Sequence, residues 1–485
     1  MTPVNGRPAV PAQTGAVTTH ISTPTVEFDA GLLARYDVTG PRYTSYPTAP
    51  SFVESFGERD YRDSARATNG DPIPRPLSLY VHVPFCESPC FYCGCTRVIT
   101  RDHGSAARYL DHIEREIALQ SALFDSDRPV VQLHLGGGTP NFMSPAELER
   151  MTEALAKGFS LELEDDRDFS VECDPRYLSR EHAETLAELG FNRLSFGVQD
   201  LDPAVQRAIN RVQPESQTRE AVEAAREAGM RSVNLDLIYG LPRQNPESFA
   251  RTLETVLGLR PERISLYAYA HLPERFKAQR RIAAHDLPAP ATKLALLGLA
   301  VRTLTAAGYR YIGMDHFALP SDPLARALDA GTLRRNFQGY STHGQCDLVG
   351  LGMSAISHVG GCYAQNARDL AGYYKLIAEG RLPVVRGLAL NADDILRAGV
   401  IQSVMCRNGL DFAAVEHRFG IDFAAYFAPE IAQLQTLAED GLIELDDHGL
   451  TVTPRGRLLL RVVGMVFDRS LSQPAVENRR FSRVI

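Results

Sequence analysis

Four of the eight cysteines in this chain lie within ten positions, in the stretch YVHVPFCESPCFYCGCTRVIT at residues 80–100. They are Cys86, Cys90, Cys93 and Cys95, separated by three, two and one residues. Four thiolates can hold a structural zinc ion, but zinc sites usually pair ligands from separated segments so that the ligands surround the ion. A compact C-x₃-C-x₂-C loop can instead bring three sulfurs to three irons of a [4Fe–4S] cube. The fourth iron would then bind a small molecule, although the spacing alone does not exclude Cys95 as a ligand.

A run of glycines follows the cysteine loop. The stretch LHLGGGTP at 133–140 contains three consecutive glycines before a helix-like segment that starts at Ser144. Glycine lets the backbone approach a ligand closely, whereas a tight turn into a helix needs only one glycine. A nucleoside–amino acid bound at an open iron would project toward this run.

Strands and helices that alternate from residue 77 onward must position these loops. Amphipathic stretches such as SPAELERMTEALAKGF (144–159) and PESFARTLETVLGL (246–259) separate short β-branched or aromatic runs, which is typical of βα units with a parallel sheet. Six consecutive units predict an α/β fold with a complete or partial barrel, and YRYIGMDHF (309–317) is a candidate seventh strand. The six predicted strands are LSLYVHV (77–83), VVQLHLG (130–136), DFSVECD (168–174), RLSFGVQ (193–199), SVNLDLIYG (232–240) and RISLYAYA (263–270).

Polar residues close several of these predicted strands. Glu172 and Asp174 end the third, Gln199 and Asp200 end the fourth, and Asp236 lies late in the fifth. Each of them alone could be a helix N-cap or a solvated strand end. In a parallel barrel the chemistry takes place in the loops at the carboxyl ends of the strands. Together with the cysteines, these residues predict a site on one rim.

The composition limits the classes of function. The net charge of −8 and a pI near 5.9 argue against a broad nucleic-acid surface. No apolar run reaches the roughly 18 residues of a membrane span, and the N-terminus lacks a secretory layout. Residues 1–26 hold one Arg and no acid, so a transit-like segment is the alternative to a disordered extension. Clustered cysteines without an export signal favour a reduced compartment over a disulfide framework.

The pattern changes beyond about residue 385. Helices such as NADDILRAGVIQSVM (391–405) precede GLIELDDHGLTVTPRGRLLLRVVGMVF (441–467), whose strand–turn–strand–helix pattern predicts a small winged-helix-like domain. Few basic residues line its hairpin, which favours a packing or lid role over nucleic-acid binding. The predicted segments are a disordered extension (1–30), an N-terminal substrate-side segment (31–76), the barrel (77–320), a connecting segment (321–384) and a mostly helical C-terminal domain (385–485).

The C-x₃-C-x₂-C loop, with Tyr92 before its third cysteine, and the GGGTP run resemble the radical S-adenosylmethionine (SAM) superfamily, whose members have full or partial βα barrels. Within it, longer motifs look like those of the oxygen-independent coproporphyrinogen III oxidases, from about residue 31 to 485. The motifs are PRYTSYPT (41–48), LYVHVPFC (79–86), CGC (93–95), NRLSFGVQD (192–200), NLDLIYGLP (234–242), YAHLP (269–273), IGMDHF (312–317), RNFQGY (335–340) and FSRVI (481–485).

The resemblance implies a role for each matching residue. Cys86, Cys90 and Cys93 would ligate a [4Fe–4S] cluster, and Cys95 would be a non-ligating cysteine near it that serves catalysis. Asp and Gln can hydrogen-bond ribose hydroxyls, and arginine can pair with a carboxylate. The family is described with two SAM molecules, and Tyr92 replaces a phenylalanine often found there. The SAM-contacting positions match Tyr80, Tyr92, Gly137, Gly138, Thr139, Glu172, Gln199, Arg211, Asp236, Ala270 and Ile356.

The implied reaction converts two propionates of coproporphyrinogen III into vinyls, giving protoporphyrinogen IX and two CO₂ without oxygen. A low-potential electron donor would reduce the cluster, SAM would yield a 5′-deoxyadenosyl radical, and a separate acceptor would take the second electron. A propionate-rich substrate needs fixed cations and donors, for which Arg42, Arg335 and Gln338 are candidates, with loop packing as the alternative. We expect a cytoplasmic monomer.

Two other radical SAM classes are alternatives. A related haem chaperone keeps the core of the fold but lacks the PRYTSYPT extension and the Cys-Gly-Cys form, both of which are present here. A nucleic-acid-modifying enzyme is poorly supported by the acidic balance of the chain.

Overall fold

A computed structural model describes residues 26–472 and 481–484. The disordered extension predicted for residues 1–30 therefore lies, up to residue 25, outside the described residues. The carboxylate of Asp29 accepts a hydrogen bond from the backbone N–H of Leu32 and so caps the first helix. The N-terminal helices are α1 (Ala30–Arg35) and α2 (Glu58–Ala67).

The next strands are β1 (Leu77–Val83), β2 (Phe85–Cys86), β3 (Val98–Ile99), β4 (Pro129–Gly137), β5 (Ser160–Leu161), β6 (Asp168–Cys173), β7 (Arg193–Gln199), β8 (Ser232–Tyr239) and β9 (Arg263–Ala268). Six of them pair in parallel in the order β1-β4-β6-β7-β8-β9, which is the order of the chain. The prediction of six parallel strands is confirmed. Because all six run the same way, their carboxyl ends meet at one edge of the sheet.

Helices connect these strands, and their starts follow the sequence signals. Ser144 caps α4 in a capping box with Glu147, and Asn245 caps α8 by accepting from the backbone N–H of Ser248. The helices are α3 (Gly104–Ser121), α4 (Pro145–Gly158), α5 (Arg180–Glu188), α6 (Pro203–Ala208), α7 (Glu215–Glu227), α8 (Pro246–Leu259) and α9 (Pro290–Ala306).

The candidate seventh strand at 309–317 is not one strand. It forms a hairpin of β10 (Arg310–Gly313) and β11 (His316–Ala318), and β11 pairs antiparallel to β9. The chain reverses at Gly313 and Met314, both of which have positive φ, of 153° and 52°. The expectation of a seventh βα strand is therefore wrong.

The sheet continues on its other side. There β14 pairs parallel to β1, and β15 to β17 follow as antiparallel strands, so that the pairing path runs from β10 to β17 as a mixed α/β sheet. A separate two-stranded hairpin, β12–β13, carries the RNFQGY motif. The elements are α10 (Pro323–Asp329), β12 (Arg334–Asn336), β13 (Gly339–Ser341), β14 (Asp347–Leu351), β15 (Ile356–Val359), β16 (Cys362–Asn366), α11 (Leu370–Ala378) and β17 (Val384–Ala389).

The C-terminal part contains a small antiparallel sheet in the order β18-β20-β19, flanked by helices. The strand–turn–strand–helix pattern predicted for 441–467 is confirmed. The elements are α12 (Ala392–Arg407), β18 (Gly409–Asp411), α13 (Phe412–Phe419), α14 (Phe423–Tyr426), α15 (Ala428–Glu439), β19 (Ile443–Leu445), β20 (Gly449–Val452) and α16 (Leu460–Val466). Within the described ranges, none of these or the preceding helices has the length and apolar character needed to cross a bilayer.

The two ends of the described chain meet beside the sheet. Thr39 forms a β-bridge with Arg483, and the backbone N–H of Gly40 donates to the carbonyl of Ser482. The buried guanidinium of Arg461 donates to carbonyls on both segments, including that of Gly40. These hydrogen bonds fix the backbone that leads into the PRYTSYPT motif.

Candidate active site

The cysteine loop follows β1 at the carboxyl edge of the sheet. Cys86 ends β2, the other three cysteines follow within the loop, and all eight cysteines of the chain are free thiols. The guanidinium of Arg97 donates to the carbonyls of Cys90, Cys93 and Cys95 at 3.2–3.3 Å. The loop therefore surrounds the positively charged side chain of Arg97, whose hydrogen bonds fix the conformation of the loop backbone.

Each predicted cluster ligand has a hydrogen-bond donor at its sulfur. Such donors favour the thiolate, which is the form of cysteine that binds metal. The side-chain hydrogen bond with Cys95 is the main cause that lowers the pKa of the Cys93 thiol, to about 6, whereas burial outweighs the Thr139 donor and raises the pKa of the Cys86 thiol to about 11. The donors are Thr139 Oγ1 to Cys86 (3.4 Å), Arg211 Nη1 to Cys90 (3.6 Å) and the backbone N–H of Cys95 to Cys93 (3.4 Å).

The three predicted ligands are accessible from the rim. Cys86, Cys90 and Cys93 are partly exposed free thiols, each with its own donor. In residues 26–472 and 481–484, no three His, Cys, Asp or Glu side chains are placed to hold one metal ion. The choice of a [4Fe–4S] cluster over zinc therefore rests on the C-x₃-C-x₂-C spacing.

The glycine run is required by the packing of the backbone. A Cβ at Gly138 would lie 2.7 Å from the carbonyl oxygen of Phe85, and one at Gly137, where φ is 111°, would lie 2.5 Å from the ring of His82. The N–H of Gly138 donates to the carbonyl of Val83 at 2.8 Å. Packing alone therefore requires glycine at both positions, because the end of β4 runs directly against the start of the cysteine loop.

One group of predicted SAM contacts surrounds Glu172. Tyr80 stacks on His134 with 5.8 Å between ring centroids, and His134 hydrogen-bonds Glu172 at 3.3 Å. The N–H of Gly137 donates to the other oxygen of Glu172 at 3.1 Å. Burial raises the pKa of Glu172, but the hydrogen bonds from His134 and Gly137 outweigh it and lower that pKa. Its side chain, 47% exposed, is thus an ionised acceptor open to a ligand.

Ile356 belongs to the same group. It starts β15, and its backbone lies against Gly350, so closely that a Cβ on Gly350 would be 2.7 Å from the Ile356 carbonyl oxygen. Gly350 pairs in register with Tyr80 of β1. The structure therefore brings together Tyr80, Gly137, Glu172 and Ile356, although Ile356 follows the other three by about half the chain.

Arg211 is the centre of a second group. Its guanidinium donates to Asp174 at 2.8 Å, to the carbonyl of Gly197 at 2.6 Å and to the sulfur of Cys90. Its Nε is buried without a partner. The sequence predicts that Arg211 pairs with the carboxylate of SAM, yet it already holds a protein carboxylate, so that role stays a prediction. Gln199, at a bulge in β7 with φ of 68°, lies on the same edge.

Asp236 lies on β8, in register with Gly197 of β7. Asn234 donates to it at 2.8 Å and Ser195 at 3.3 Å. Burial, followed by the charge of Glu172, raises the pKa of Asp236 to about 6. Burial also raises the pKa of the neighbouring Asp200 to about 6, and Gln244 and Thr252 both donate to its carboxylate.

Sequence reasoning missed Gln279, which joins two parts of the site. It is 2% exposed and donates to the carbonyl of Tyr92 at 2.9 Å and to that of Ala270 at 3.1 Å. These bonds tie the cysteine loop to the loop after β9. A glutamine in a polar loop gives no sequence signal of such a role, since both partners are backbone groups distant in the chain.

The substrate-side candidates Arg42 and Gln338 differ in their hydrogen-bond and ion-pair partners. Arg42 pairs with Asp315, and its guanidinium lies over the ring of Tyr267, 5.6 Å from the centroid. Both amide atoms of Gln338 are buried without a hydrogen-bond partner. The structure thus gives Arg42 a protein partner and leaves Gln338 with unused hydrogen-bonding capacity.

Comparison with known proteins agrees with this site. The model of the radical SAM superfamily matches residues 80–256, and that of the HemN C-terminal domain matches residues 390–459. The oxygen-independent coproporphyrinogen III oxidase of Pseudomonas aeruginosa is 52% identical over 95% of this chain and 99% of that protein. The protein of the same name from Escherichia coli is 47% identical over 96% of this chain and 100% of that protein.

A solved structure gives the same result for the fold. The structure described as coproporphyrinogen III oxidase (HemN) from Escherichia coli, a radical SAM enzyme, matches with a TM-score of 0.87 at 46% identity, covering 92% of this chain and 100% of that one. The fold and the cysteine loop are those of a radical SAM enzyme. Within that class, the chain belongs to the oxygen-independent coproporphyrinogen III oxidase family, which confirms the resemblance of its motifs.

Proposed function

We propose that the rim described above is where this chain carries out the reaction of its family, the oxygen-independent oxidation of coproporphyrinogen III in haem biosynthesis. The reaction turns two propionates into vinyls with loss of CO₂ and gives protoporphyrinogen IX. One observation carries the assignment of the site: the thiols with their donors lie at the same sheet edge as Glu172 of β6 and Asp236 of β8, the strands on either side of β7. SAM bound at a cluster held by these thiols would therefore have polar anchors at the same edge.

Cys86, Cys90 and Cys93 would hold the cluster. When bound, the cluster and SAM supply the one-electron chemistry that removes a hydrogen atom from the substrate. The chain itself holds the loop through Arg97 and places a hydrogen-bond donor at each of the three sulfurs. Cys95, exposed and not needed as a ligand, is left to act near the substrate.

The two contact networks support two SAM molecules. One network links Tyr80, Gly137, Glu172 and Ile356, and the other links the cysteine loop to Arg211 and, through Gln279, to Ala270. Asp236 has oxygens suited to ribose hydroxyls, because a carboxylate can accept from two of them. Gly138 and Thr139 lie between the networks, next to the first cysteine.

Arg42 and Gln338 would contact the substrate. Gln338 has a buried donor and acceptor without partners, which a carboxylate or a pyrrole N–H can satisfy. Arg42 keeps its place through Asp315 and Tyr267, so that its charge is fixed before the substrate binds.

The finer architecture is also part of this proposal. The six parallel strands would curve into a partial (β/α)₆ barrel, and the C-terminal sheet and helices would form a winged-helix-like lid. Eight free thiols suit a reduced compartment such as the cytoplasm. A low-potential electron donor, an electron acceptor and a monomeric enzyme remain predictions from the sequence.

An anaerobic assay tests the function. The protein is reconstituted with iron and sulfide, and dithionite, SAM and coproporphyrinogen III are added. We expect 5′-deoxyadenosine together with protoporphyrinogen, measured as protoporphyrin after oxidation. Deoxyadenosine without protoporphyrin would point to another substrate, and haem binding with neither product would favour the chaperone alternative.

A further inference from the structure

A buried arginine on the β12–β13 hairpin has no anionic partner. Arg335 is 7% exposed, its Nε donates to the carbonyl of Arg42 at 3.4 Å, and its Nη1 is buried without an acceptor. No carboxylate of the described chain forms an ion pair with it. A buried, unpaired guanidinium is costly, because it loses hydration without a compensating charge.

Two other unsatisfied groups accompany Arg335. His316 on β11 has a buried Nδ1 without a partner, and the amide of Gln338 is likewise unpaired. The Arg335 guanidinium lies over the ring of Tyr340, 4.9 Å from its centroid, and the His316 ring meets the same tyrosine edge-on at 5.5 Å. One tyrosine thus holds the arginine and the histidine side by side.

The surrounding charges leave this arginine unneutralised. Arg42 faces the same space, but Asp315 pairs with it, and Tyr267 separates it from His316. Burial, together with the charges of Arg335 and Arg42, lowers the pKa of His316 to about 3. The imidazole is therefore neutral and offers one N–H donor, while Arg335 supplies the positive charge.

The position of His316 relates this group to the SAM rim. His316 pairs in register with Ser265 of β9, which in turn pairs with Asp236 of β8. Neighbouring strands are spaced about 4.8 Å apart, so two steps correspond to about 10 Å. A ligand held at Arg335 and His316 would lie beside the proposed SAM anchor.

We propose that Arg335, His316 and the amide of Gln338 form a binding site for one propionate carboxylate of the substrate. This inference rests on the proposed function and names the residues that would recognise the substrate carboxylate. Arginine suits a carboxylate because its planar fork donates two parallel hydrogen bonds. A carboxylate there can accept from Arg335 Nη1 and from an N–H of His316 and of the Gln338 amide, whereas the unpaired Gln338 oxygen needs a donor such as a pyrrole N–H.

The test compares Arg335→Gln with Arg334→Gln. Arg334 is the preceding residue on the same hairpin strand, so its side chain points to the opposite face. The probes are coproporphyrin III and its tetra-amide, which differ only in the carboxylates, and binding is followed by fluorescence quenching. A hydrogen bond to a charged group contributes about 1.5–3 kcal/mol, so Arg335→Gln should weaken coproporphyrin III binding by roughly 10- to 150-fold.

The ratio of the affinities for acid and amide decides between recognition and packing. In Arg335→Gln this ratio should fall by about the factor expected for one carboxylate, in Arg335→Lys by a smaller factor, and in Arg334→Gln it should stay at the wild-type value. His316→Asn should weaken binding of the acid more than that of the amide, while iron content and SAM affinity stay unchanged. If the wild-type protein converts coproporphyrinogen III but Arg335→Gln leaves the acid-to-amide ratio unchanged, this inference alone is overturned. If the wild-type protein neither binds nor converts the substrate, the proposed function is overturned as well.

Discussion

Replacing Asp236 by Asn should weaken SAM binding without destabilising the protein. The Asp236 carboxylate accepts hydrogen bonds from Asn234 and Ser195, and in our proposal its remaining lone pairs receive ribose hydroxyls. A hydrogen bond to a charged group contributes about 1.5–3 kcal/mol, which corresponds to a 10- to 150-fold loss of affinity. Iron content should not change, because the ligating thiols belong to another loop.

The stability of the same variant should move in the opposite direction. The pKa of Asp236 is raised from 3.8 to about 6 by burial and by the charge of Glu172. The folded state therefore binds the proton more tightly than the unfolded chain, so this group's contribution to stability is present below pH 3.8 and lost as the pH rises through 6. A neutral Asn avoids that loss, and at pH 7.5 the apoprotein should gain up to about 3 kcal/mol.

The control is Asp200→Asn, the matching change at the end of the adjacent strand. Three donors serve the Asp200 carboxylate: Gln244, Thr252 and the backbone N–H of Asp202. Burial raises the pKa of Asp200 to about 6 as well, so this variant should escape the same pH-dependent loss of stability, and SAM affinity, which should stay unchanged, is the quantity that separates the two variants. Equilibrium dialysis of labelled SAM and urea unfolding of the apoprotein measure the two quantities. Wild-type SAM affinity in Asp236→Asn, or an equal loss in Asp200→Asn, would refute the assignment of the ribose contact.

Four further substitutions test other parts of the site and the fold. Cys86→Ser should abolish the reconstituted cluster, whereas Cys95→Ser should keep four irons and lose turnover; iron loss in the latter would make Cys95 a ligand. Gly138→Ala brings a Cβ within 2.7 Å of the Phe85 carbonyl oxygen, so iron content and the apoprotein Tm should both fall, and unchanged values would show that the cysteine loop can yield. Burial raises the pKa of Glu116 to about 7, so the wild type should lose about 3 kcal/mol of stability between pH 4.5 and 7. Glu116→Gln should remove that loss, and equal slopes of urea midpoint against pH in both proteins would contradict it.

The sequence predicts the strands of the site better than the contacts among its side chains. Alternating βα patterns are enough to place six parallel strands and to bring Glu172 and Asp236 to one edge, because parallel strands share their direction. The hairpin at 310–318 was missed because two residues with positive φ, Gly313 and Met314, reverse a run that reads as one continuous strand. Local pattern gives no strong signal for such a turn when only one of the two residues is glycine.

Contacts that depend on tertiary structure could not be predicted. Asp174 lies 37 residues before Arg211, its ion-pair partner, and Gln279 lies 187 residues after Tyr92, whose carbonyl it binds. No periodicity relates such pairs, since each is made only when separate loops meet at the sheet edge. Because the Arg211 guanidinium already donates to Asp174, a ligand carboxylate would have to share its hydrogen-bond donors with that residue.

A polar layer inside the sheet explains how the fold holds the site residues in place. Parallel sheets covered on both faces are usually apolar throughout, yet here Ser170 hydrogen-bonds His134 at 2.7 Å and Asn234 donates to Ser195 at 2.8 Å. Ser170 and Asn234 each lie two residues before a carboxylate of the site, and residues two apart in a strand share a face. A slip of one residue would break these hydrogen bonds and turn the carboxylates toward the helices. The bonds that satisfy the buried polar groups therefore also fix the register that places Glu172 and Asp236 beside the cysteine loop.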